Sequence, residues 1–168
     1  MDIPLLIVRL IVGLGFASHG AQKLFGWFGG YGLAGTGGFF AQLGFRPGQL
    51  FALLAGLGEF VGGLLVALGL GGPTGPALMI CVMVVATLTV HLKNGFYVTK
   101  NGFELPLAYM CLATLFAFVG YGTYSLDDML AVGWLMSIRN AWIAVVAGIA
   151  AGLLIVVLRR PSVAPAGS

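Results

Sequence analysis

Charge is what this sequence has least of: eight Lys and Arg and five Asp and Glu among 168 residues, 8% charged. A soluble domain carries about a quarter charged residues, so these few cannot clothe a water-facing surface of this size. A soluble enzyme is thereby excluded. Cysteine is scarcer still. Cys81 and Cys111 stand alone with no CxxC arrangement, too few for a disulfide-stapled scaffold, and read as small core residues. Basic residues are scattered, so the net charge of +3 builds no nucleic-acid-binding surface, and no nucleic acid is expected as a partner. Disorder requires low hydrophobicity, whereas 60% of this chain is hydrophobic. What the chain has in quantity is apolar side chains and 28 glycines. The remaining class is an integral membrane protein in contact with the lipid bilayer.

A helix needs about 20 mainly apolar residues to cross the hydrocarbon layer. Five stretches approach that length: 3–24, 50–70, 75–92, 104–120 and 140–158. The fold class expected is therefore all-α, a polytopic transmembrane helical bundle. The third and fourth stretches are short, and a count of four or five spans follows. The first stretch begins with Asp2 instead of a basic region and carries Arg9 within the apolar run, so it is expected to stay as a helix and not be a signal peptide. Gly71-Gly72-Pro73-Thr74 is a tight turn of the kind that makes helical hairpins. The connection after the first stretch is long, aromatic and glycine-rich. Residues 129–137 are apolar but too short to span and are expected along the interface.

Lys and Arg in short loops stay on the cytoplasmic side. With five helices, Lys23, Arg46, Lys93, Lys100, Arg159 and Arg160 all fall at one end, and Asp2, Asp127, Asp128 and Arg139 at the other. The expected topology has the N-terminus outside and the C-terminus in the cytoplasm.

Glu59 lies near the middle of the second stretch, where an acidic residue costs about 2.5 to 3.5 kcal/mol on insertion scales. At helical spacing it shares a face with Ala52, Ala55, Gly56, Gly62, Gly63 and Val66, and so points at a close helix neighbour. In the first stretch Arg9 shares a face with Gly13, Phe16, Gly20 and Lys23, with His19 on its edge. These residues predict a buried polar cluster of Arg9, His19 and Glu59. It serves equally as a salt bridge locking two helices or as a proton-accepting or ligand-binding site.

A second group gathers toward the cytoplasmic ends: His19, Lys23, His91, Lys93 and Glu104, with Trp27, Phe28, Phe96 and Tyr97. Snorkelling and an aromatic belt explain the lysines and Trp27. They explain two histidines less well. A planar amphipathic ligand such as a quinone head group needs apolar or aromatic walls and one or two polar side chains, which His19, Lys23, Trp27, Glu59, His91 and Glu104 can supply. Haem is disfavoured, because there is no attachment motif, and no metal site is expected, because no di-iron carboxylate-histidine spacing occurs. Gly58 with Gly62, and Gly148 with Gly152, match the small-xxx-small packing motif, and such faces are compatible with a homo-oligomer.

Several strings together resemble the DoxX family of small bacterial membrane proteins. They are Arg9, the run His19-Gly20-Ala21-Gln22-Lys23-Leu24-Phe25-Gly26-Trp27-Phe28-Gly29-Gly30, Gly35-Thr36 with Phe39-Phe40, and Glu59. Thr89-Val90-His91-Leu92 with Asn94-Gly95-Phe96, Asn101-Gly102-Phe103-Glu104 and Tyr124-Ser125-Leu126-Asp127 continue the match. The resemblance implies a compact bundle, usually of four spans, in a bacterial plasma membrane. Residues 1–128 form that unit, residues 129–158 add an interfacial stretch and a further helix, and 159–168 are a flexible tail. Related proteins include a quinone-reducing membrane subunit of thiosulfate oxidation, and the family is associated with redox-stress and thiol-stress partners. Three functions follow as expectations: a membrane component of a quinone-linked oxidoreductase with soluble redox enzymes at its cytoplasmic face, a proton-coupled carrier or channel, or a scaffold for such enzymes. Which of these is catalytic in the chain alone is left open by the residues.

Overall fold

The computed structural model describes residues 2–160, and among them every regular element is helical. In chain order these are α1 (Asp2–Phe25), α2 (Gly32–Gln42), α3 (Gly48–Leu68), α4 (Thr74–Ala86), α5 (Glu104–Val119), α6 (Leu126–Met129) and α7 (Ile138–Val157). A π turn at Thr87–His91 and a 3-10 turn at Leu92–Asn94 prolong α4. Four helices are long and apolar enough to cross a membrane: Asp2–Phe25, Gly48–Leu68, Thr74–Asn94 and Ile138–Val157. The apolar Glu104–Val119 is shorter. The chain is a multi-pass, all-α bundle. Beyond Arg160 the expected tail lies outside the described residues.

Glycine sets the closest helix contacts. A Cβ on Gly13 would strike the backbone of Gly63 and Ala67, and one on Gly20 would strike Phe60 and Gly56, so α1 and α3 pack backbone to backbone. Gly58 and Gly62 receive Val82 and Leu78 of α4, while Gly148 and Gly152 of α7 lie against Ala77 and Cys81 of the same helix. Both small-xxx-small faces are thus used inside the chain, which takes them away from pairing of copies.

The glycine-rich connection read as a loop in the sequence holds a helix, α2. Its four glycines have poor intrinsic propensity, and tertiary packing outweighs it, with Gly37 seated against Gln49 and Gly48 against Ala41. Because Gly56 faces Leu24 and Lys23, α1 stops level with a point about 12 Å into α3. The chain then turns at Trp27–Gly29, and α2 covers the first turns of α3. The stretch 129–137, expected to lie flat before the last helix, starts at the last residue of the single turn α6 and carries a 3-10 turn at Gly133–Leu135.

One end of the bundle carries Arg46, Lys93, Lys100, Arg159 and Arg160. There the backbone N–H of Arg160 donates to Gly44 O at 2.8 Å, and Arg159 Nε donates to Leu43 O. At the opposite, acidic end Asp127 is buried and accepts the N–H groups of Gly71 and Gly72 at 2.8 and 2.7 Å, fixing the α3–α4 turn. Tyr121 Oη donates to Gly72 O at 2.9 Å, and burial raises its phenol well above the ordinary range, so it remains a donor.

Candidate functional site

Two packed apolar clusters form the interior. Phe16, Val66, Met79 and Phe116 belong to one and Phe40, Phe45, Ala52 and Val85 to the other. A cavity of about 550 Å³ lies between them, walled by members of both together with His19, Lys23, Glu59, Thr89, His91, Asn101 and Tyr109. Its apolar wall includes Phe39, Leu54 and Leu105, which are themselves exposed, so the cavity communicates with the lipid-facing flank.

Glu59 occupies the buried face of α3, about 16 Å from Gly48 and about 14 Å from Leu68, at half-depth along the helix. Its partner is Lys23, whose Nζ donates to Oε2 at 2.5 Å. Lys23 was expected to join the cytoplasmic-end charges; instead it turns inward, because α1 ends level with Gly56 and its last turn faces the middle of α3.

Arg9 does not join Glu59 and His19. It is 2% exposed and lies against Gly69, ten residues beyond Glu59 and about 15 Å along α3. Its guanidinium donates to Tyr121 O at 2.8 Å and to Tyr124 O, pinning α1 to the α5–α6 connection. Gly69 has φ +64, a left-handed cap, and a Cβ there would collide with Arg9. The predicted cluster of Arg9, His19 and Glu59 is therefore corrected to Lys23, Glu59 and His19, with Arg9 a structural clamp at the acidic end.

Of the six residues proposed to hold a ligand, His19, Lys23, Glu59 and His91 line the cavity, and Trp27 and Glu104 do not. Trp27 is 56% exposed and stacks on Phe25 with ring centroids 4.9 Å apart. Glu104 accepts the N–H of Val98 at 2.8 Å, closing the 95–104 loop on itself. Phe28, Phe96 and Tyr97 also lie off the cavity wall. Sequence reasoning missed Tyr109, whose ring lies edge-on to His19 with centroids 6.3 Å apart. A lone phenol within an apolar helix is the signal that marks it. Gln22 was likewise unweighed. The π turn swings Thr89 and His91 to the cavity, as such bulges in helices do at sites.

The two histidines are held alike. His19 Nδ1 meets Gln22 Oε1 at 3.2 Å, and Gln22 Nε2 donates to Phe28 O at 3.3 Å. His91 Nδ1 meets the backbone carbonyl of Asn101 at 2.8 Å. A cavity lined by an amine–carboxyl pair, imidazoles and a phenol together with aromatic and apolar walls can seat a planar amphipathic molecule and exchange protons with it.

The DoxX family model matches residues 4–92, which run from the first turn of α1 through α4 and include Arg9, His19, Lys23, Glu59 and His91. This chain belongs to the DoxX family. A relative from Haemophilus influenzae, an uncharacterized protein, is 32% identical over 127 residues, covering 74% of this chain and 88% of that protein. No solved structure matches this DoxX chain.

Proposed function

We propose that this DoxX protein is the membrane component of a quinone-linked oxidoreductase, with the cavity as its quinone site. The observation that supports the reading is the cavity itself: about 550 Å³, aromatic and apolar along its flank, with His19, Lys23, Glu59, Tyr109 and His91 on its wall. The head group of a quinone or its reduced form fits this set of polar side chains. Its ring needs flat apolar walls, its oxygens need hydrogen-bonding side chains, and its tail needs a route to lipid. The exposed apolar rim at Phe39, Leu54 and Leu105 offers that route. Within the chain, His19 and Tyr109 orient the head group and exclude water, while the Lys23–Glu59 pair holds charge and proton beside it. Bound quinone supplies the redox chemistry, and soluble redox enzymes docking at the basic end supply electrons. That end faces the cytoplasm in this reading, in a bacterial plasma membrane, since Arg46, Lys93, Lys100, Arg159 and Arg160 collect there.

Mass spectrometry of a solvent extract from protein purified in mild detergent tests the proposal. Quinone recovered near one per chain, and lost in His19→Ala, is the expected result. Extracts holding only bulk phospholipid overturn it.

One observation favours a second reading. The α1–α2 break lies beside the pair of partly buried Lys23 and buried Glu59, and interrupted helices beside intramembrane charges also build carriers. Proton-coupled uptake into liposomes that disappears in Glu59→Gln is its distinguishing result.

A further inference from the structure

We propose that the cavity takes its ligand as a hydrogen-bond donor, so that it binds an aromatic head group bearing hydroxyls, a hydroquinone, in preference to the oxidised quinone. This rests on the quinone-site reading above and specifies which form the site recognises.

The polarity of each histidine is set by a carbonyl. Phe28 O can only accept, so the Gln22 amide turns its NH2 toward it and its Oε1 toward His19. Oε1 can only accept as well, so the proton of the neutral His19 ring sits on Nδ1. Its Nε2 is left with a lone pair. The same logic applies at His91, where Asn101 O accepts from Nδ1 and also from Asn94 Nδ2 at 3.1 Å. Two imidazoles from two different helices thus line the cavity with Nδ1 engaged elsewhere, which leaves Nε2 as the ring atom free to accept. Glu59 adds another acceptor, because its bond with Lys23 uses Oε2 and leaves Oε1. Against these stand the spare hydrogens of Lys23 Nζ and the Tyr109 hydroxyl, which both donates and accepts.

A quinone presents two carbonyl acceptors, which only Lys23 Nζ and the Tyr109 hydroxyl can match, and leaves the two histidines and Glu59 Oε1 as acceptors without a donor. A hydroquinone presents two O–H donors. In a low-dielectric cavity an unmatched acceptor is costly, so the match decides which form stays. Gln22 is the positioning residue: it touches no ligand, yet it sets which nitrogen of His19 carries the proton. The chain holds it in place on both sides, since Gly30 lies against the Gln22 backbone and Phe28 takes a φ of +53, in the left-handed region, where its carbonyl meets the amide.

The test measures equilibrium binding to the full chain in nanodiscs under anaerobic conditions with three probes: a short-chain benzoquinone, the same compound kept reduced with dithionite, and its redox-inert dimethyl ether, which has no donor. The reduced probe is expected to bind about tenfold tighter than the other two, the equivalent of one net hydrogen bond. Gln22→Leu is expected to shrink that preference about threefold. Nitrogen-15 NMR of the unmutated protein is expected to show Nδ1 protonated and Nε2 bare on His19 and His91, a readout independent of whether the variants fold. Oxidised probe or dimethyl ether binding as tightly as the reduced probe overturns this inference and leaves the quinone site standing. Saturable binding of none of the three overturns the quinone-site reading and the inference with it.

Discussion

Lys23 reaches back from the last turn of α1 to Glu59 at the middle of α3, and the ion pair they form on the cavity wall leaves Arg9 to a different task at the far end of the same helix. Removing either partner strands the other charge in a poorly solvated place. Lys23→Met alone and Glu59→Leu alone are each expected to lower stability by about 3 kcal/mol, and the double variant to recover most of that. A double-mutant cycle on thermal unfolding in detergent measures it. Simple additivity would show that the pair contributes nothing jointly.

Arg9 is a clamp for the α5–α6 connection, and its bonds go to two carbonyls instead of a carboxylate. Arg9→Ala is expected to lose about 3 kcal/mol, and Arg9→Lys to recover little, because an ammonium lacks the planar fork that spans Tyr121 O and Tyr124 O. Ligand affinity of the folded fraction is expected to stay unchanged. A drop in affinity larger than the drop in folded protein would place Arg9 in the site after all.

Asp127 holds the α3–α4 turn through two backbone N–H groups. Asp127→Ala, which leaves both without a partner, is expected to cost about 2 to 3 kcal/mol, and Asp127→Asn, which retains one acceptor, roughly half as much. Unfolding curves of the two variants check the order. Equal losses would show that the charge, not the bonding, matters.

The cavity wall divides the six residues proposed from sequence. Trp27→Ala and Glu104→Gln are expected to leave quinone content unchanged, whereas Tyr109→Phe lowers affinity about threefold by removing the hydroxyl of a ring that lines the cavity edge-on to His19. Extract mass spectrometry on the three variants separates them. Loss of quinone in Trp27→Ala would return the site to the aromatic corner.

Backbone contact between α1 and α3 leaves no room for a side chain at Gly13. Gly13→Val is expected to abolish folded yield, while Gly38→Ala, with nothing within 4 Å of its Cβ, leaves it equal or slightly raised. Size-exclusion profiles of the two compare them directly.

The amino-acid sequence by itself determined that the chain lives in a bilayer, because 13 charges cannot solvate 168 residues, and it determined the buried face of α3, because Glu59 among glycines at helical spacing has nowhere else to point. The family strings were also legible, being local. Tertiary structure decided which charges meet. Periodicity places a residue on a face but says nothing of the level at which two helices come alongside, so the sequence pointed to Arg9 as the partner of Glu59 and left Lys23 with the end charges, and the glycine contacts of α1 and α3 set the offset that exchanges them. It also made α2 from a glycine-rich run whose own propensity is weak, and it bent α4 through a π turn, aiming His91 inward. Trp27 and Glu104 show the same limit from the other side: their types suit a ligand site, but short-range stacking and a loop bond hold them elsewhere. Local chemistry is written in the order of residues, whereas a cavity exists only where distant segments fail to fill the space between them.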